Sequence, residues 1–189
     1  MLSNESDLIR ESQEGGNEAF GELYDEYIQK IYKFVYFKTH HKEVAEDLTS
    51  KAFIKAFEKI KSYDSRKASF STWLYGIARN TVIDYYRTKK LNINVEDVWD
   101  LPAKNGLLED VDNRMKLEEV GKHLKTLDVG QREIIIMRVW DDLSYKEIAQ
   151  IIGKSEANCR MMYMRAVGKL KESVPFAVYI ALLLNNLKN

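Results

Sequence analysis

Asn80, Asp84 and Arg87 follow one another at spacings of four and three residues in the 189-residue chain. At about 100° per residue, a helix would place them with Trp73 on one narrow stripe. The segment just before this stretch interleaves aromatic with basic residues, namely Tyr63, Arg66, Lys67 and Phe70. Rings stack on unpaired bases and cations meet phosphates, so this combination is typical of single-stranded DNA binding. Core packing would equally explain Trp73 or Phe70 taken singly.

A second candidate surface lies nearer the carboxyl end of the chain. On a helical wheel, one face of the segment from Ser155 carries Arg160, Met161, Met164 and Arg165. The opposite face carries the residues predicted to be buried, Cys159, Tyr163, Ala166 and Leu170. Arginine pairs with guanine or phosphate, and methionine can lie against a thymine methyl, so the first face suits a major groove. The alternative is that both methionines fill gaps against a neighbouring element.

Hydrophobic periodicity predicts that helices position both surfaces. In the first half of the chain it predicts helices over 19–35, 43–61 and 71–89, with a polar loop over 62–69. The second of these helices is predicted to turn inward Ala45, Leu48, Ala52, Ala56, Phe57 and Ile60. Further helices are predicted over 113–127, 131–140, 144–152 and 155–173. Ser144 and Glu147 fit a capping box and Gly153 ends that helix, so the last two helices form a helix-turn-helix.

The composition favours an all-α fold, because 9 Gly and 2 Pro are too few for a protein of many short strands. Residues 93–112 lack periodicity and carry 6 acidic residues against 1 basic residue. They are predicted to be an acidic linker between two small helical domains, 1–92 and 113–173, the second containing the helix-turn-helix. An apolar tail follows over 174–189, and its longest apolar run is too short to span a membrane.

The net charge of zero hides a segregation of charge along the chain. Residues 51–92 carry 10 basic and 3 acidic residues, and residues 113–189 carry 13 and 9. Such basic zones are the electrostatic pattern of a polyanion partner, although solvated helix faces would also explain them. A single cysteine, Cys159, cannot form an internal disulfide and indicates a reducing compartment, for which the cytoplasm fits best.

Residues 70–87 resemble the promoter-melting helix of extracytoplasmic-function (ECF) sigma factors, whose pattern is roughly F-x-x-W-L-x-x-I-A-x-N-x-x-x-D-x-x-R. Residues 143–149, with Arg165, Ala166 and Leu170, resemble the second DNA-binding domain of that family. The resemblance implies an all-α, non-catalytic initiation factor, with sigma region 2 over 1–92 and region 4 over 113–173. It implies core RNA polymerase and promoter DNA as partners, with no cofactor or metal, and it admits an anti-sigma factor.

The resemblance also implies roles for the two surfaces and for a third one. At the minus-ten element and its melted strand it places Tyr63, Arg66, Lys67, Phe70, Trp73, Asn80, Asp84 and Arg87. At the minus-thirty-five element it places Arg138, Tyr145, Ser155, Asn158, Arg160, Met161, Met164 and Arg165, with Arg138 and Tyr145 on phosphates. On polymerase it places Glu46, Asp47, Ser50, Lys51 and Phe53. Ser50 and Lys51 depart from the Gln and acid that many members have there, and Ala157-Asn158-Cys159-Arg160 departs from the common recognition-helix pattern.

Two other classes of protein compete with this interpretation. A stand-alone helix-turn-helix regulator would explain residues 128–173 but not the Asn80 helix, its loop or the acidic linker. A helical enzyme or metal protein is suggested by His40 and His41 near Glu43, Glu46 and Asp47. These residues lack a metal-ligand spacing, and the chain shows no nucleophile–base set or phosphate loop, so solvated polar residues explain the histidines better.

Overall fold

The computed structural model describes residues 4–39, 41–88, 124 and 126–173. All regular elements of this part are helical: α1 (Glu5–Gln13), α2 (Asn17–Thr39), α3 (Lys42–Lys59), a 3₁₀ turn (Ile60–Ser62), α4 (Phe70–Thr88), α5 (Val129–Ile135), a π turn (Ile136–Trp140), α6 (Tyr145–Ile152) and α7 (Glu156–Ser173). The acidic linker, most of the helix predicted over 113–127, the apolar tail and His40 lie outside the described residues.

The first helical unit, α1 to α4, is built around the apolar stripe of α2. Leu23, Ile31, Phe34 and Val35 are fully buried there and pack against α3 and α4. The predicted helix over 19–35 is therefore confirmed, with two residues more at its start and four at its end. The sequence predicted no helix at α1, which adds Leu8 and Ile9 to the core.

The second unit contains the predicted helix-turn-helix. Ser144 caps α6, since its Oγ accepts from the backbone N–H of Glu147 while the Glu147 carboxylate accepts from the backbone N–H of Ser144. Gly153 ends α6 in the left-handed conformation (φ 70°), which favours glycine, and α7 starts three residues later. The predicted capping box, turn and second helix are thus confirmed. An additional capping box, Asp128 with Gln131, starts α5.

The two units pack on each other, with α6 lying against α4. Within the described ranges, no helix is both long and apolar enough to cross a membrane. In those same ranges, no group of three or more His, Cys, Asp or Glu residues is placed to hold a metal ion.

Candidate nucleic-acid interface

The predicted stripe on α4 is open to solvent. Asn80 is exposed, and the Arg87 and Asp84 side chains are 77% and 46% exposed. Arg87 Nη2 lies 3.0 Å from Asp84 Oδ1, and Lys55 of α3 lies 3.7 Å from Asp84 Oδ2. Ion pairs this exposed contribute little to stability, so both cations can exchange the carboxylate for a phosphate at small cost.

The loop between the 3₁₀ turn and α4 is ordered by its own polar groups. Arg66 donates from Nε and Nη2 to both oxygens of Asp64, at 2.9 and 2.8 Å. These hydrogen bonds lower the pKa of Asp64 to about 2. The Tyr63 hydroxyl donates to the carbonyl of Ala68 at 3.0 Å and closes the loop. The side chains of Arg66 and Lys67 remain exposed above it, as expected for cations that meet phosphates.

The aromatic residues of this region lie mostly beneath the surface. Phe70 is 1% exposed, and its ring centroid lies 5.7 Å from that of Tyr63 and 5.6 Å from that of Trp73. Core packing therefore accounts for the burial of Phe70, which supports the loop from below and also contributes to the lining of the cleft described next. Tyr63 is 8% exposed, while Trp73 is partly buried and keeps an accessible part.

A cleft of about 560 Å³ opens between α1 and this loop, in the size range of small-molecule sites. From α1 it is lined by Glu5, Arg10 and Gln13, which the sequence did not single out. Gln13 also holds the loop in place, because its Nε2 donates to the carbonyls of Ile60 and Tyr63 at 3.1 and 2.8 Å. The two partners of each contact are about fifty residues apart in the sequence, so no local sequence pattern predicts these contacts.

The reading face predicted on α7 is exposed as a whole. Met161 and Met164 are 54% and 62% exposed, so they do not fill a gap in the described part of the molecule. Arg160 and Arg165 lie beside them, and Arg160 Nη2 pairs with Glu156 Oε1 at 3.1 Å. The opposite seam is confirmed, since Cys159 and Ala166 are fully buried, Leu170 is 3% exposed and Tyr163 is partly buried.

Tyr145 at the start of α6 lies close to two cations of this unit. The guanidinium carbons of Arg138 and Arg160 both lie 5.4 Å from the centroid of its ring. Arg138 also donates to the carbonyl of Leu143 at 3.0 Å, which fixes the π turn against α6. At the start of α7, Ser155 Oγ accepts from the backbone N–H of Asn158 at 3.2 Å.

The exposed face of α3 is partly charged and partly apolar. Glu46, Asp47, Ser50 and Lys51 are exposed, and Lys51 pairs with Asp47 at 2.6 Å. Phe53 is 4% exposed and belongs to the core, where its ring lies 4.7 Å from that of Tyr24.

Two apolar residues continue that exposed face of α3 toward its end. Ile54 is 58% exposed and Phe57 46%, so the prediction that Phe57 faces inward was wrong. Phe57 packs edge-to-face against Phe20 from outside, at 5.0 Å between ring centroids. The spacing from Ser50 to Ile54 and Phe57, four and then three residues, was the sequence signal for one shared face.

Sequence comparisons agree with this geometry. Residues 23–91 match the family described as Sigma-70 region 2, and residues 117–170 match Sigma-70, region 4. The chain is 31% identical to the ECF RNA polymerase sigma factor SigM of Bacillus subtilis, over 79% of this chain and 91% of that protein. It is also 31% identical to the ECF RNA polymerase sigma factor BldN of Streptomyces coelicolor, over 89% of this chain and 65% of that protein.

Two solved structures share the fold. One is CnrH in complex with the cytosolic domain of CnrY, with a TM-score of 0.70 and 22% identity over 90% of this chain and 96% of that one. The other is the sigma factor RpoE of Bartonella quintana in complex with the anti-sigma factor NepR, with a TM-score of 0.63 and 24% identity over 81% and 94%. The chain belongs to the ECF RNA polymerase sigma factors of the sigma-70 family.

Proposed function

We propose that this chain binds core RNA polymerase in the cytoplasm and gives it promoter specificity, without catalysing a reaction itself. The observation that carries the proposal is that two exposed surfaces with DNA-binding chemistry, on α4 and α7, stand on separate helical units. Sigma region 2 is assigned to 1–92 and region 4 to 113–173, joined by the acidic linker over 93–112. A stand-alone helix-turn-helix regulator would leave the region 2 match and the α4 stripe without a role.

The first unit is assigned to the minus-ten element and to strand separation. Asn80, Asp84 and Arg87 would contact the element, and the loop cations Arg66 and Lys67 would hold the melted strand. Opening a duplex costs stacking energy, which capture of an unstacked base can offset. The cleft between α1 and the loop has the volume for such a base, and its polar lining offers both donors and acceptors.

The second unit is assigned to the minus-thirty-five element. Arg160, Met161, Met164 and Arg165 would read base edges, because they form the exposed face of the second helix of the motif. Arg138 and Tyr145 would lie on the phosphates beside it. Ser155 and Asn158, at the start of α7, complete the set.

The exposed face of α3 is assigned to polymerase. Glu46, Asp47, Ser50 and Lys51 supply its polar part, and the exposed Ile54 and Phe57 extend it with an apolar part. Interfaces are dominated by a few apolar or aromatic anchors with a polar rim, and this face has that composition. An anti-sigma factor is a further candidate partner, supported by the complex of RpoE with NepR that shares the fold.

Initiation by purified components tests the function. The chain would be mixed with core RNA polymerase, and transcripts would be mapped from a library of genomic fragments of the source organism. We expect specific start sites that are absent with core polymerase alone. If the chain binds genomic DNA but neither binds polymerase nor changes its start sites, the stand-alone regulator becomes the better assignment.

A further inference from the structure

Glu133 of α5 lies between two cations of the first unit. Its Oε1 accepts from Lys38 Nζ at 2.7 Å and from Arg79 Nε at 2.9 Å. The side chains of Glu133 and Lys38 are only 5% and 8% exposed, and that of Arg79 is 23% exposed. Burial alone would raise the pKa of Glu133, but the two cations outweigh burial and lower it. One carboxylate of the second unit thus neutralises two cations, one on α2 and one on α4.

Contacts within the first unit hold these two cations near each other. The Tyr86 hydroxyl of α4 donates to the carbonyl of Lys38 at 3.3 Å. The Lys38 ammonium lies 5.0 Å from the centroid of the Phe34 ring, which packs edge-on against Tyr75, one turn before Arg79. Because these contacts involve only α2 and α4, the two helices keep the positions of Lys38 and Arg79 in the chain close together without the second unit.

The docked arrangement of the two units covers part of the loop that is assigned to the melted strand. Gln150 of α6 donates to the carbonyl of Lys67 at 3.3 Å, and Ser69 donates to Glu147 at 2.8 Å, so α6 lies directly on the loop. Promoter elements more than one turn of DNA apart are separated by more than about 35 Å. If the proposed function holds, the units must therefore separate on a promoter, and Lys38 and Arg79 then lose their carboxylate.

We propose that Lys38 and Arg79 form a binding site for a backbone phosphate of promoter DNA, and that Glu133 occupies this site while the two units are docked. Lysine and arginine use the same N–H donors for carboxylate and phosphate. Arg79 directly precedes Asn80 and lies about 100° from it around α4, so the site flanks the stripe assigned to the minus-ten element.

Two other carboxyl groups of the second unit also contact the first unit. Besides Glu133, the second unit turns Asp141 toward Tyr75 and Glu147 toward Ser69. Of the three carboxyl groups, Glu133 is the one that lies on two cations, so it is the one that competes with a DNA phosphate. The contacts of Asp141 and Glu147 help to hold the second unit over the site while the units are docked.

The salt dependence of DNA binding by the full-length chain tests the site. The probe is a short duplex with a central mismatched bubble and no upstream element. We expect Glu133→Gln to bind it more tightly than the parent, with a steeper fall of affinity with salt. Adding Lys38→Gln or Arg79→Gln to Glu133→Gln should reduce that slope by about 0.7 to 0.9 for each lost phosphate contact.

Matched variants distinguish the loss of a positive charge from a loss of folding. Lys38→Arg and Arg79→Lys, each combined with Glu133→Gln, should keep the slope, since they keep the positive charge. Circular dichroism of every variant shows whether the helices remain intact.

Three results would contradict the proposed phosphate site. One is a Glu133→Gln chain that binds the bubble no better than the parent. Another is an unchanged slope after loss of Lys38 or Arg79 in folded variants. The last is strong competition when inorganic phosphate replaces chloride at constant ionic strength, which would make this a site for free phosphate. Specific initiation by the parent chain with polymerase would still support the proposed function in all three cases.

Discussion

Ser69 Oγ donates to Glu147 Oε1 at 2.8 Å and joins the loop before α4 to the first helix of the helix-turn-helix. Each partner also caps its own helix. Ser69 Oγ accepts from the backbone N–H of Thr72 at 3.2 Å, and Glu147 Oε2 accepts from the backbone N–H of Ser144 at 2.9 Å. The same two side chains therefore stabilise two helix starts and the contact between the units.

Glu147→Ala should lower the free energy of unfolding by roughly 1 to 2 kcal/mol, because it removes half of the α6 capping box and the contact with Ser69. Ser144→Ala is the matched control, since it disturbs the same cap but leaves the contact between the units. Thermal unfolding measures both, and interdomain fluorescence energy transfer measures docking. Equal transfer in the two variants would show that the Ser69 contact does not contribute to docking.

Docking of the two units should weaken as the pH rises from about 5 to 7. Burial raises the pKa of Asp141 to about 7 against the opposing effects of Tyr75, Lys33 and Lys30, whereas its ordinary value is 3.8. Between these values the docked chain keeps a proton that the undocked carboxyl releases. Each pH unit in this window therefore costs docking at most about 1.4 kcal/mol, and above about pH 7 the cost is constant.

Asp141→Asn tests this pH dependence, because the amide cannot ionise. Interdomain energy transfer measured from pH 5 to 8 should become flat in this variant, and docking should be tighter than in the parent above pH 7. Asp142→Asn is the control, since the Asp142 side chain is 74% exposed and should leave the parent profile unchanged. A parent chain whose docking does not vary with pH would contradict the assignment.

Arg160→Ala and Arg165→Ala should each weaken binding to the upstream element by about 1 to 3 kcal/mol, if each arginine contacts a base edge. Footprinting of the holoenzyme on a mapped promoter measures the loss. Full upstream protection in both arginine variants would move the reading surface to another element.

Asn80→Ala, or Arg66→Ala combined with Lys67→Ala, should leave polymerase binding intact and reduce promoter opening. Permanganate reactivity of unpaired thymines measures opening, and a premelted promoter bubble should restore part of the lost activity. If these variants melt duplex promoters as well as the parent does, strand separation depends on another part of the chain.

Ile54→Ser and Phe57→Ser should each weaken binding to core polymerase by more than about 1 kcal/mol, because both would lose apolar contact at an interface. Neither should unfold the chain, since both side chains are largely exposed. Met161→Ser is the control for loss of an exposed apolar residue on another helix. Unchanged polymerase affinity in both α3 variants would place the docking surface elsewhere.

Local patterns predicted most of the helices. The apolar spacing of α2, the Ser144 capping box and Gly153 each have a cause within a few residues of sequence, so they could be identified without a structure. The helix α1 was missed because Leu8 and Ile9 are its only large apolar residues, too few to establish a period. Phe57 was misassigned because periodicity distinguishes apolar from polar residues, and an exposed phenylalanine matches the buried pattern.

Docking of the two units could not be predicted from the sequence. Lys38 and Glu133 are 95 positions apart, and each alone looks like an ordinary surface charge. The cleft has the same origin, because Gln13 reaches Tyr63 across 50 positions. The sequence therefore predicted two exposed helix faces, on α4 and α7, but not which groups cover or support the surfaces beside them.

The Tyr145 ring makes cation–π contacts with Arg138 and Arg160. The helix α7 therefore depends on α6 and on the segment before it for the position of Arg160. A graft of α7 alone into a sigma factor that has no aromatic residue at the position of Tyr145 would leave Arg160 without this ring contact. Promoter specificity should accordingly transfer only when the π turn and α6 travel with α7. Residues 136–173 would then have to be transferred together, in protein engineering or in the evolution of duplicated genes, because α7 by itself would not carry the specificity.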